Sequence, residues 1–284
     1  MRSSRRNGAP SRQAERPARR TPSRDAAYAD GISDLARSFA RTAPAYERSR
    51  PSYPEAAIAW LQDRLGLAAG KVVLDLAAGT GKLTRQLVPL GVEVLAVEPL
   101  PEMRAELARV VPGVTAMQGT AETIPLPDAS VDAVTVGQAF HWFDAPVAVR
   151  EIHRVLRPGG GVGLLWNALS DDEVGRAAEA VRAELVQRDS SEETWSPAFA
   201  ASGLFLPLEK RIFEFSERLA REVFVERFAT ISVLAALGEE AQLEALRDLR
   251  ARLPDDPLIA ASTTEVYVTE ARARGDRRPS RGGG

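Results

Sequence analysis

Hydrophobic and polar positions follow a regular pattern over the first 170 residues of this chain. Short apolar runs predict five strands, at 72–76, 93–98, 114–118, 131–137 and 161–166. Amphipathic segments between them predict three helices, at 81–89, 101–109 and 144–155. Strands that alternate with helices at this spacing indicate a parallel sheet covered on both faces, in which the apolar, β-branched strand near 131–136 is central.

The pattern changes upstream and downstream of this region. Upstream, helices are predicted at 30–48 and 55–65, separated by the extended segment around Pro51 and Pro54. Downstream, the predicted elements are a helix at 173–188, a strand at 208–215, helices near 218–228 and 239–252, and a strand at 263–270. The two late strands would form an antiparallel hairpin at one sheet edge. The predicted fold class is therefore α/β, a doubly wound, mainly parallel seven-stranded sheet with a late antiparallel hairpin.

Basic charge is concentrated at the two ends of the chain. Residues 1–24 contain eight Arg and one acid, Glu15, and residues 271–284 contain five Arg and one acid, Asp276. Because the formal net charge is −2, the remaining chain is strongly acidic and unsuited to binding a phosphate backbone. We expect disordered basic tails at 1–28 and 271–284 around a single domain at 29–270.

Several kinds of site are excluded by composition. The chain has no cysteine and only two histidines, His141 and His153, so no disulfide and no Cys- or His-rich metal site is expected. No run reaches the roughly 18 apolar residues of a membrane span, and the first 24 residues lack the apolar stretch of a secretory signal. The composition suits a reducing cytoplasm, and we expect neither a membrane nor a metal as partner.

The segment 72–84 carries most of the functional information. An apolar strand is followed by Asp75 and by a turn of small residues, Ala77-Ala78-Gly79-Thr80-Gly81. Small residues let the backbone approach a ligand, and the following helix N-terminus offers free N–H groups. We expect the Asp75 carboxylate to face this crevice. Glu98 ends the next strand about 20 residues after the turn, where an acid can accept both ribose hydroxyls of a nucleoside.

Two other nucleotide-binding motifs do not fit this segment. A Walker loop needs Gly and Ser/Thr where the chain has Leu76 and Leu83. A dinucleotide fingerprint needs a third Gly where Thr84 stands, and Asp75 would repel a pyrophosphate.

Loops after the third and fourth strands are further candidates. The loop at 119–126 is either an adenine-binding edge or an ordinary polar connection. The fourth strand is followed by Gln138-Ala139-Phe140-His141-Trp142-Phe143-Asp144, whose aromatic residues wall a pocket or pack in the core, with Asp144 as a helix N-cap. His141 is a candidate general base, whereas His153 is interpreted as a packing or surface residue.

Together these motifs resemble a class I S-adenosylmethionine-dependent methyltransferase of the small-molecule type, over about residues 35–170. Val73–Gly81 is similar to the family's first motif, with Ala77 in place of the usual first Gly, and Glu98 matches its ribose-binding acid. Ala121 and Glu122 match the adenine-side loop. The resemblance implies a cofactor-binding core at 35–170 and a helical, substrate-side region at 171–262. Its implied cofactor-binding residues are Tyr46, Arg50, Asp75, Ala77, Gly79, Thr80, Gly81, Glu98, Ala121, Glu122 and Gln138.

The flanking residues resemble one branch of the family, the branch that includes trans-aconitate methyltransferase. This resemblance rests on Tyr46, Arg50-Pro51-Ser52-Tyr53-Pro54 and Gln138–Phe143. It implies that Tyr46 and Arg50 close over the methionine end of the cofactor, and that Tyr53, Phe140 and Trp142 contribute to a substrate pocket. Small carboxylic acids are among the substrates of this branch.

The resemblance implies an enzyme that transfers a methyl group from S-adenosylmethionine to a small molecule by in-line displacement, with carboxylates among the candidate acceptors and no partner protein. Two alternatives stay open: a catalytically silent cofactor-binding protein, and a nucleic-acid methyltransferase that uses the Arg-rich tails. Against the second alternative, the chain lacks the Asn/Asp-Pro-Pro-aromatic motif of nucleic-acid amino-methylating members and reads Gln138-Ala139-Phe140-His141 at that place.

Overall fold

The computed structural model describes residues 42–185 and 195–273, which form one seven-stranded sheet with helices on both faces. The strands are β1 (Val72–Leu76), β2 (Glu93–Val97), β3 (Ala116–Met117), β4 (Val131–Gly137), β5 (Leu156–Leu169), β6 (Glu209–Leu219) and β7 (Leu258–Glu270). The helices are α1 (Ala43–Ser49), α2 (Glu55–Leu65), α3 (Thr84–Leu87), α4 (Pro101–Val110), α5 (Ala145–Val155), α6 (Glu173–Leu185), α7 (Ser196–Ser202), α8 (Arg221–Ala229), α9 (Ser232–Ala235) and α10 (Glu239–Arg252). Short 3₁₀ turns follow at Val88–Leu90 and Phe140–Trp142.

The strand order is β3-β2-β1-β4-β5-β7-β6, and it reverses direction beside β1. Strand β1 pairs in parallel with β2 on one side and with β4 on the other. In an open α/β sheet, ligands bind beyond the carboxyl ends of the strands at such a reversal. This topology confirms the predicted fold class and the central position of the strand at 131–137.

The predicted late hairpin is also confirmed. Strand β7 runs antiparallel between β5 and β6, with Gly161 opposite Glu270 and Lys210 opposite Tyr267. Strand β5 is longer than the predicted 161–166, because it begins as soon as α5 ends at Val155. The segment Pro158-Gly159-Gly160 therefore lies inside this strand.

Apolar side chains fill the space between the sheet and the helices on each face. On one face α5 buries Val149 and Ile152 against the sheet. On the other face Leu61 of α2 packs on β5 at Gly163, where a Cβ atom would come within 2.3 Å of the Leu61 Cδ1 atom. The absence of a side chain at Gly163 lets this helix approach the sheet closely.

Other predictions differ from the structure in their bounds. The predicted helix 81–89 contains only α3 and a 3₁₀ turn, and the predicted strand 114–118 contributes two residues. Helices α7 and α9 were not predicted. The proposed N-cap is confirmed, since Asp144 accepts a hydrogen bond from the Val147 N–H. Residues 1–41, 186–194 and 274–284, including most of both predicted tails, lie outside the described residues. In the described part of the chain no helix is long and apolar enough to cross a membrane.

Candidate functional site

A cavity of about 870 Å³, including its open mouth, lies at the carboxyl ends of β1, β2 and β4. Its walls combine the turn after β1, the end of β2, the loop at 119–122 and the segment after β4. The residues that line this first cavity are Tyr46, Leu76, Ala77, Gly79, Glu98, Pro99, Leu100, Met103, Gly119, Thr120, Ala121, Glu122, Gly137, Gln138, Ala139, Trp142 and Phe143.

Glu98, like Glu122, is an acid in the wall of this cavity. Its carboxylate accepts hydrogen bonds from the Gly79 N–H at 3.0 Å and the Leu100 N–H at 2.8 Å. Burial raises the pKa of Glu98 to about 7, since the charged form loses hydration. The carboxylate thus stands between the turn after β1 and the start of α4, a position suited to the hydroxyls of a ribose.

Asp75 lies below the cavity rather than in its wall. The residue is 1% exposed, and its carboxylate accepts hydrogen bonds from the Thr84 hydroxyl at 2.5 Å and, more weakly, from the Thr135 hydroxyl at 3.5 Å. Burial raises its pKa to about 7. The expectation that this carboxylate faces the crevice is therefore not met. Because Asp75 precedes the end of β1 and Thr84 lies on the following helix, the carboxylate ties the strand to α3.

Two other residues of the turn after β1, Thr80 and Gly81, also lie outside the wall of the cavity. Thr80 is buried and donates its hydroxyl to the Glu47 carboxylate at 2.7 Å. Gly81 has a φ of +88°, and a Cβ there would come within 3.0 Å of Leu107 and Val111 side chains on the α4 side. Ala77 and Gly79 do line the cavity, and both have positive φ, +56° and +58°.

A buried acid on α1, Glu47, holds this helix against the turn. Besides Thr80, its carboxylate accepts a hydrogen bond from Arg85 at 2.7 Å and lies 3.7 Å from the Lys82 ammonium. Lys82 also donates to the Glu47 carbonyl at 2.6 Å. These contacts place Tyr46, the residue before Glu47 on α1, in the wall of the cavity.

The loop at 119–126 both lines the cavity and is fixed from behind. Ala121 and Glu122 are in the wall, while Glu122 also accepts a hydrogen bond from the Asp144 N–H at 2.9 Å. Arg154 donates to the carbonyls of Ile124 and Leu126, at 2.9 and 2.8 Å. The two interpretations left open for this loop, ligand edge and polar connection, are thus compatible.

The aromatic residues after β4 divide between cavity and core. Trp142 lines the first cavity rather than a separate substrate pocket. Phe140 lines neither this cavity nor the second cavity, which is described below. Phe140 is fully buried with ring centroids 5.1–5.5 Å from Phe143, Trp195 and Phe199. The prediction that Phe140 lines the substrate pocket is therefore corrected to a packing role. His153 packs edge-on against Phe205, as expected for a packing residue.

His141 is half-buried and lines neither cavity. Its Nδ1 atom accepts a hydrogen bond from Trp166 Nε1 at 3.3 Å. Burial lowers the His141 pKa to about 4, so the ring is neutral at pH 7. The role of His141 as a general base stays a prediction.

A second cavity of about 620 Å³ adjoins the first, and Tyr46 and Gln138 line both. Its other wall residues come from the start of the described chain, the turn after β1, β5, the helical region after β5, and β7. They are Arg50, Pro51, Tyr53, Lys82, Asn167, Ala168, Leu169, Phe224, Arg227, Phe228, Ile231 and Ser262. Arg50 and Tyr53, predicted for cofactor and substrate respectively, both lie here. Tyr53 approaches the end of β4, because a Cβ at Gly137 would be 2.5 Å from its hydroxyl oxygen.

Several residues of these cavities were missed by sequence reasoning. Leu100 and Met103 follow Glu98 directly and could have been found from that proximity. Glu47 lies beside the predicted Tyr46, but its contacts with Thr80 and Arg85 depend on the packing of α1. Arg227 is distant in sequence and gave no local signal. Among residues 42–185 and 195–273, no group of three or more His, Cys, Asp or Glu side chains could hold a metal ion.

Comparisons with known proteins agree with this geometry. Residues 74–163 match the family described as Methyltransferase domain. An uncharacterized methyltransferase of Mycobacterium tuberculosis is 40% identical over 238 residues, which cover 83% of this chain and 94% of the relative.

Solved structures with the same fold are also found. A protein described as a type II methyltransferase from Anaeromyxobacter dehalogenans is 25% identical, with a TM-score of 0.57, over 79% of this chain and 97% of the other. Phosphoethanolamine N-methyltransferase 2 of Haemonchus contortus, in complex with S-adenosylhomocysteine and phosphomonomethylethanolamine, is 19% identical, with a TM-score of 0.51 over 83% of this chain and 58% of that one.

The chain belongs to the family of class I S-adenosylmethionine-dependent methyltransferases. S-adenosylmethionine is the methyl donor that this family uses.

Proposed function

We propose that this enzyme binds S-adenosylmethionine in the first cavity and transfers its methyl group to a small organic molecule held in the second. The observation that carries this proposal is the shared wall of the two cavities at Tyr46 and Gln138, with Glu98 in the first cavity. A nucleoside bound at Glu98 would extend its other end toward that shared wall.

The residues of the first cavity fit this cofactor. Glu98 is suited to the two ribose hydroxyls, because a carboxylate can accept two hydrogen bonds at once. Leu100, Met103 and Phe143 provide apolar surface for the adenine ring. Gly79 has no side chain within the cavity, so the backbone can approach the ligand. Tyr46 and Arg50 are proposed for the methionine end.

The roles of Asp75, Thr80 and Gly81 are proposed to be indirect. Asp75 holds the end of β1 to α3 through Thr84, and Thr80 holds α1 through Glu47. Gly81 permits the turn to pass α4. Together these contacts fix the positions of Ala77 and Gly79, which are in the wall.

The chemistry demands little of the protein side chains. The bound cofactor supplies an activated sulfonium methyl group, which a nucleophile displaces in line. The enzyme's contribution is alignment of the two ligands and exclusion of water. Burial raises the pKa of Tyr53 well above its usual value, so its hydroxyl stays protonated and can donate to an acceptor.

The nature of the acceptor is narrowed by the branch resemblance of the flanking residues. Arg50, Tyr53 and Gln138 belong to the segments that resemble the trans-aconitate methyltransferase branch, and all three line the second cavity. We therefore include small carboxylic acids among the candidate acceptors. A carboxylate needs no general base, which is compatible with the position of His141 away from both cavities.

The proposal is tested in two steps. Calorimetry measures S-adenosylhomocysteine binding to the full chain, and incubation with methyl-labelled S-adenosylmethionine and a metabolite extract then detects acceptors. We expect binding, and label in the fraction of small molecules. Binding without labelling of any fraction would favour a silent cofactor-binding protein. Labelling of nucleic acid that is lost on deleting residues 1–24 would favour the tail-dependent alternative.

A further inference from the structure

The helix α1 is too short to hold its own position. It has seven residues, Ala43–Ser49, and an isolated helix of that length is not stable in water. Its position nevertheless matters for the site, because Tyr46 lies in the wall of both cavities. The contacts of α1 with the rest of the protein therefore decide whether this shared wall is in place.

The contacts at the two ends of α1 are of different kinds. At its start Ala43 packs in an apolar cluster with Leu100 and Met103, which line the first cavity. At its end the Ser49 carbonyl accepts a hydrogen bond at 2.6 Å from Nε of Arg227, on α8. Between these ends, a buried acid ties the helix to the turn after β1.

Glu47 is that acid, and it is 8% exposed. Its carboxylate accepts hydrogen bonds from the Thr80 hydroxyl and from Arg85, both at 2.7 Å, and it lies 3.7 Å from the Lys82 ammonium. The two cations compensate the charge that burial would otherwise make costly. A neutral amide at this position would leave both cations without this counter-charge, so the attachment of α1 depends on the acid.

Tyr46 and Glu47 are neighbours in sequence with different surroundings. Consecutive side chains of an α-helix point about 100° apart, because one turn takes 3.6 residues. Glu47 lines neither cavity and contacts the turn after β1, whereas Tyr46 lines both cavities. The acid therefore fixes the helix from one side while the tyrosine serves the site on another.

We propose that Glu47 is a positioning residue for the methyl donor, which sets cofactor affinity by holding Tyr46 in the wall that the two cavities share. This inference rests on the proposed function, because it takes the first cavity to be the cofactor site. Without Glu47, α1 spends part of its time away from the turn. The apparent affinity then falls in proportion to the fraction of molecules in which Tyr46 is in place.

Calorimetry with S-adenosylhomocysteine on the full chain is the first test. We expect Glu47→Gln to weaken binding about tenfold or more, as a tenfold smaller binding-competent population requires. Glu226→Gln is the matched control, since this acid on α8 pairs with Arg48 at the surface of α1 and lines neither cavity. A surface pair contributes little, so the control should bind within about twofold of the wild type. Unchanged affinity in Glu47→Gln, or equal losses in the two variants, would overturn the inference.

A double-mutant cycle shows whether Glu47 acts through Tyr46. Tyr46→Ala removes the ring from the shared wall, so we expect it to weaken S-adenosylhomocysteine binding by itself. Adding Glu47→Gln to Tyr46→Ala should then weaken binding by less than about twofold more, because the residue that Glu47 positions is already gone. Additive losses would mean that Glu47 affects the cofactor by another route, which contradicts the proposal.

Hydrogen exchange distinguishes positioning from a general loss of stability. In Glu47→Gln we expect faster amide exchange within α1 and unchanged exchange in the central strands β1 and β4. S-adenosylhomocysteine should slow exchange in α1 of the wild type, and much less so in this variant. Faster exchange throughout the sheet would assign the lost affinity to global destabilisation and overturn the inference.

A second variant serves if Glu47→Gln does not fold. Arg85→Met removes one donor to Glu47, from a side chain that is 40% exposed and lines neither cavity. We expect it to weaken S-adenosylhomocysteine binding by a smaller factor, again without additivity to Tyr46→Ala. Wild-type affinity in Arg85→Met, or additivity, would overturn the inference in that case.

The wild-type measurement separates this inference from the proposed function. If S-adenosylhomocysteine does not bind to the wild-type chain, the proposed function fails and this inference fails with it. If it binds and Tyr46→Ala binds equally well, the cofactor site stands and only the positioning role of Glu47 is lost.

Discussion

The Glu98 carboxylate accepts a hydrogen bond from the Gly79 N–H at 3.0 Å, so the acid after β2 and the turn after β1 are directly linked. The contact joins two segments that the sequence places on neighbouring strands. Both residues line the first cavity, so this hydrogen bond lies in its wall.

We predict that Glu98→Gln weakens S-adenosylhomocysteine binding at least tenfold. The amide keeps the size of the side chain but replaces a charged acceptor for ribose hydroxyls by a neutral one, which makes weaker hydrogen bonds. Calorimetry measures the change. Glu102→Gln, at an exposed position in the first turn of α4, is the matched control and should bind like the wild type. Equal affinity in both variants would remove Glu98 from the cofactor site.

Asp75 should make stability depend on pH. Because burial raises its pKa from 3.8 to about 7, the folded state favours the protonated form. Its contribution to stability is complete below about pH 4 and is lost as the pH rises through 7. Asp75→Asn cannot ionise, so the free energy of unfolding of the wild type should fall relative to this variant by a few kcal/mol, on the order of 1.4 kcal/mol for each pKa unit. Denaturant unfolding at pH 4 and pH 8 measures it, and a constant difference would contradict the assignment.

Thr84 should contribute to stability through the same contact. Its hydroxyl is fully buried and donates to Asp75 at 2.5 Å. Thr84→Val keeps the shape and removes the donor, and we expect it to lower the free energy of unfolding by about 1–3 kcal/mol. Thr84→Ser, which keeps the hydroxyl, is the control for that loss. A Val variant as stable as the wild type would show that the hydrogen bond adds nothing.

Ala77 occupies a backbone conformation that suits glycine better. Its φ of +56° lies in the left-handed region, which costs an alanine about 1 kcal/mol. We predict that Ala77→Gly raises the melting temperature only slightly, because glycine increases the backbone entropy of the unfolded state and so offsets part of the gain. We expect the S-adenosylhomocysteine affinity to stay within about twofold. Thermal unfolding and calorimetry test both parts. A lower melting temperature would show that the Ala77 methyl group makes contacts worth more than the strain.

His141 should be dispensable for the reaction. Its ring lines neither cavity and accepts a hydrogen bond from Trp166, so we expect His141→Ala to retain cofactor affinity and turnover of the acceptor found by labelling. Loss of turnover with unchanged S-adenosylhomocysteine binding would instead support the general base predicted from sequence. Trp166→Phe removes the donor to His141 and is the companion variant for structural effects.

Much of the fold was predictable because local patterns determine it. The alternation of strands and helices and the late hairpin follow from periodicity and apolar runs. The bounds of α3 and β5 were harder, because each is set by its neighbours. Thr84 is drawn to Asp75, and β5 continues past residue 166 because β7 pairs with it from Gly161 to Leu169.

The site was predictable in position but not in the direction of each side chain. Glu98 and the loop at 119–122 follow their strands directly, so topology alone brings them together. The sequence motif is the same whether the Asp75 side chain faces the cavity or the helix behind it, and in the structure it faces Thr84. Arg227 reaches the second cavity, and Glu47 holds α1 beside the turn after β1, through packing between α1, α8 and that turn. This relationship has no local sequence signal.

Among the described residues, the two cavities share Tyr46 and Gln138 alone, and most of the second wall comes from residues that follow Phe143. Exchange of α8 and its neighbouring turn could therefore redirect the enzyme to new acceptors while the nucleoside-binding half stays intact. Engineers seeking altered selectivity would concentrate libraries on positions 224–231.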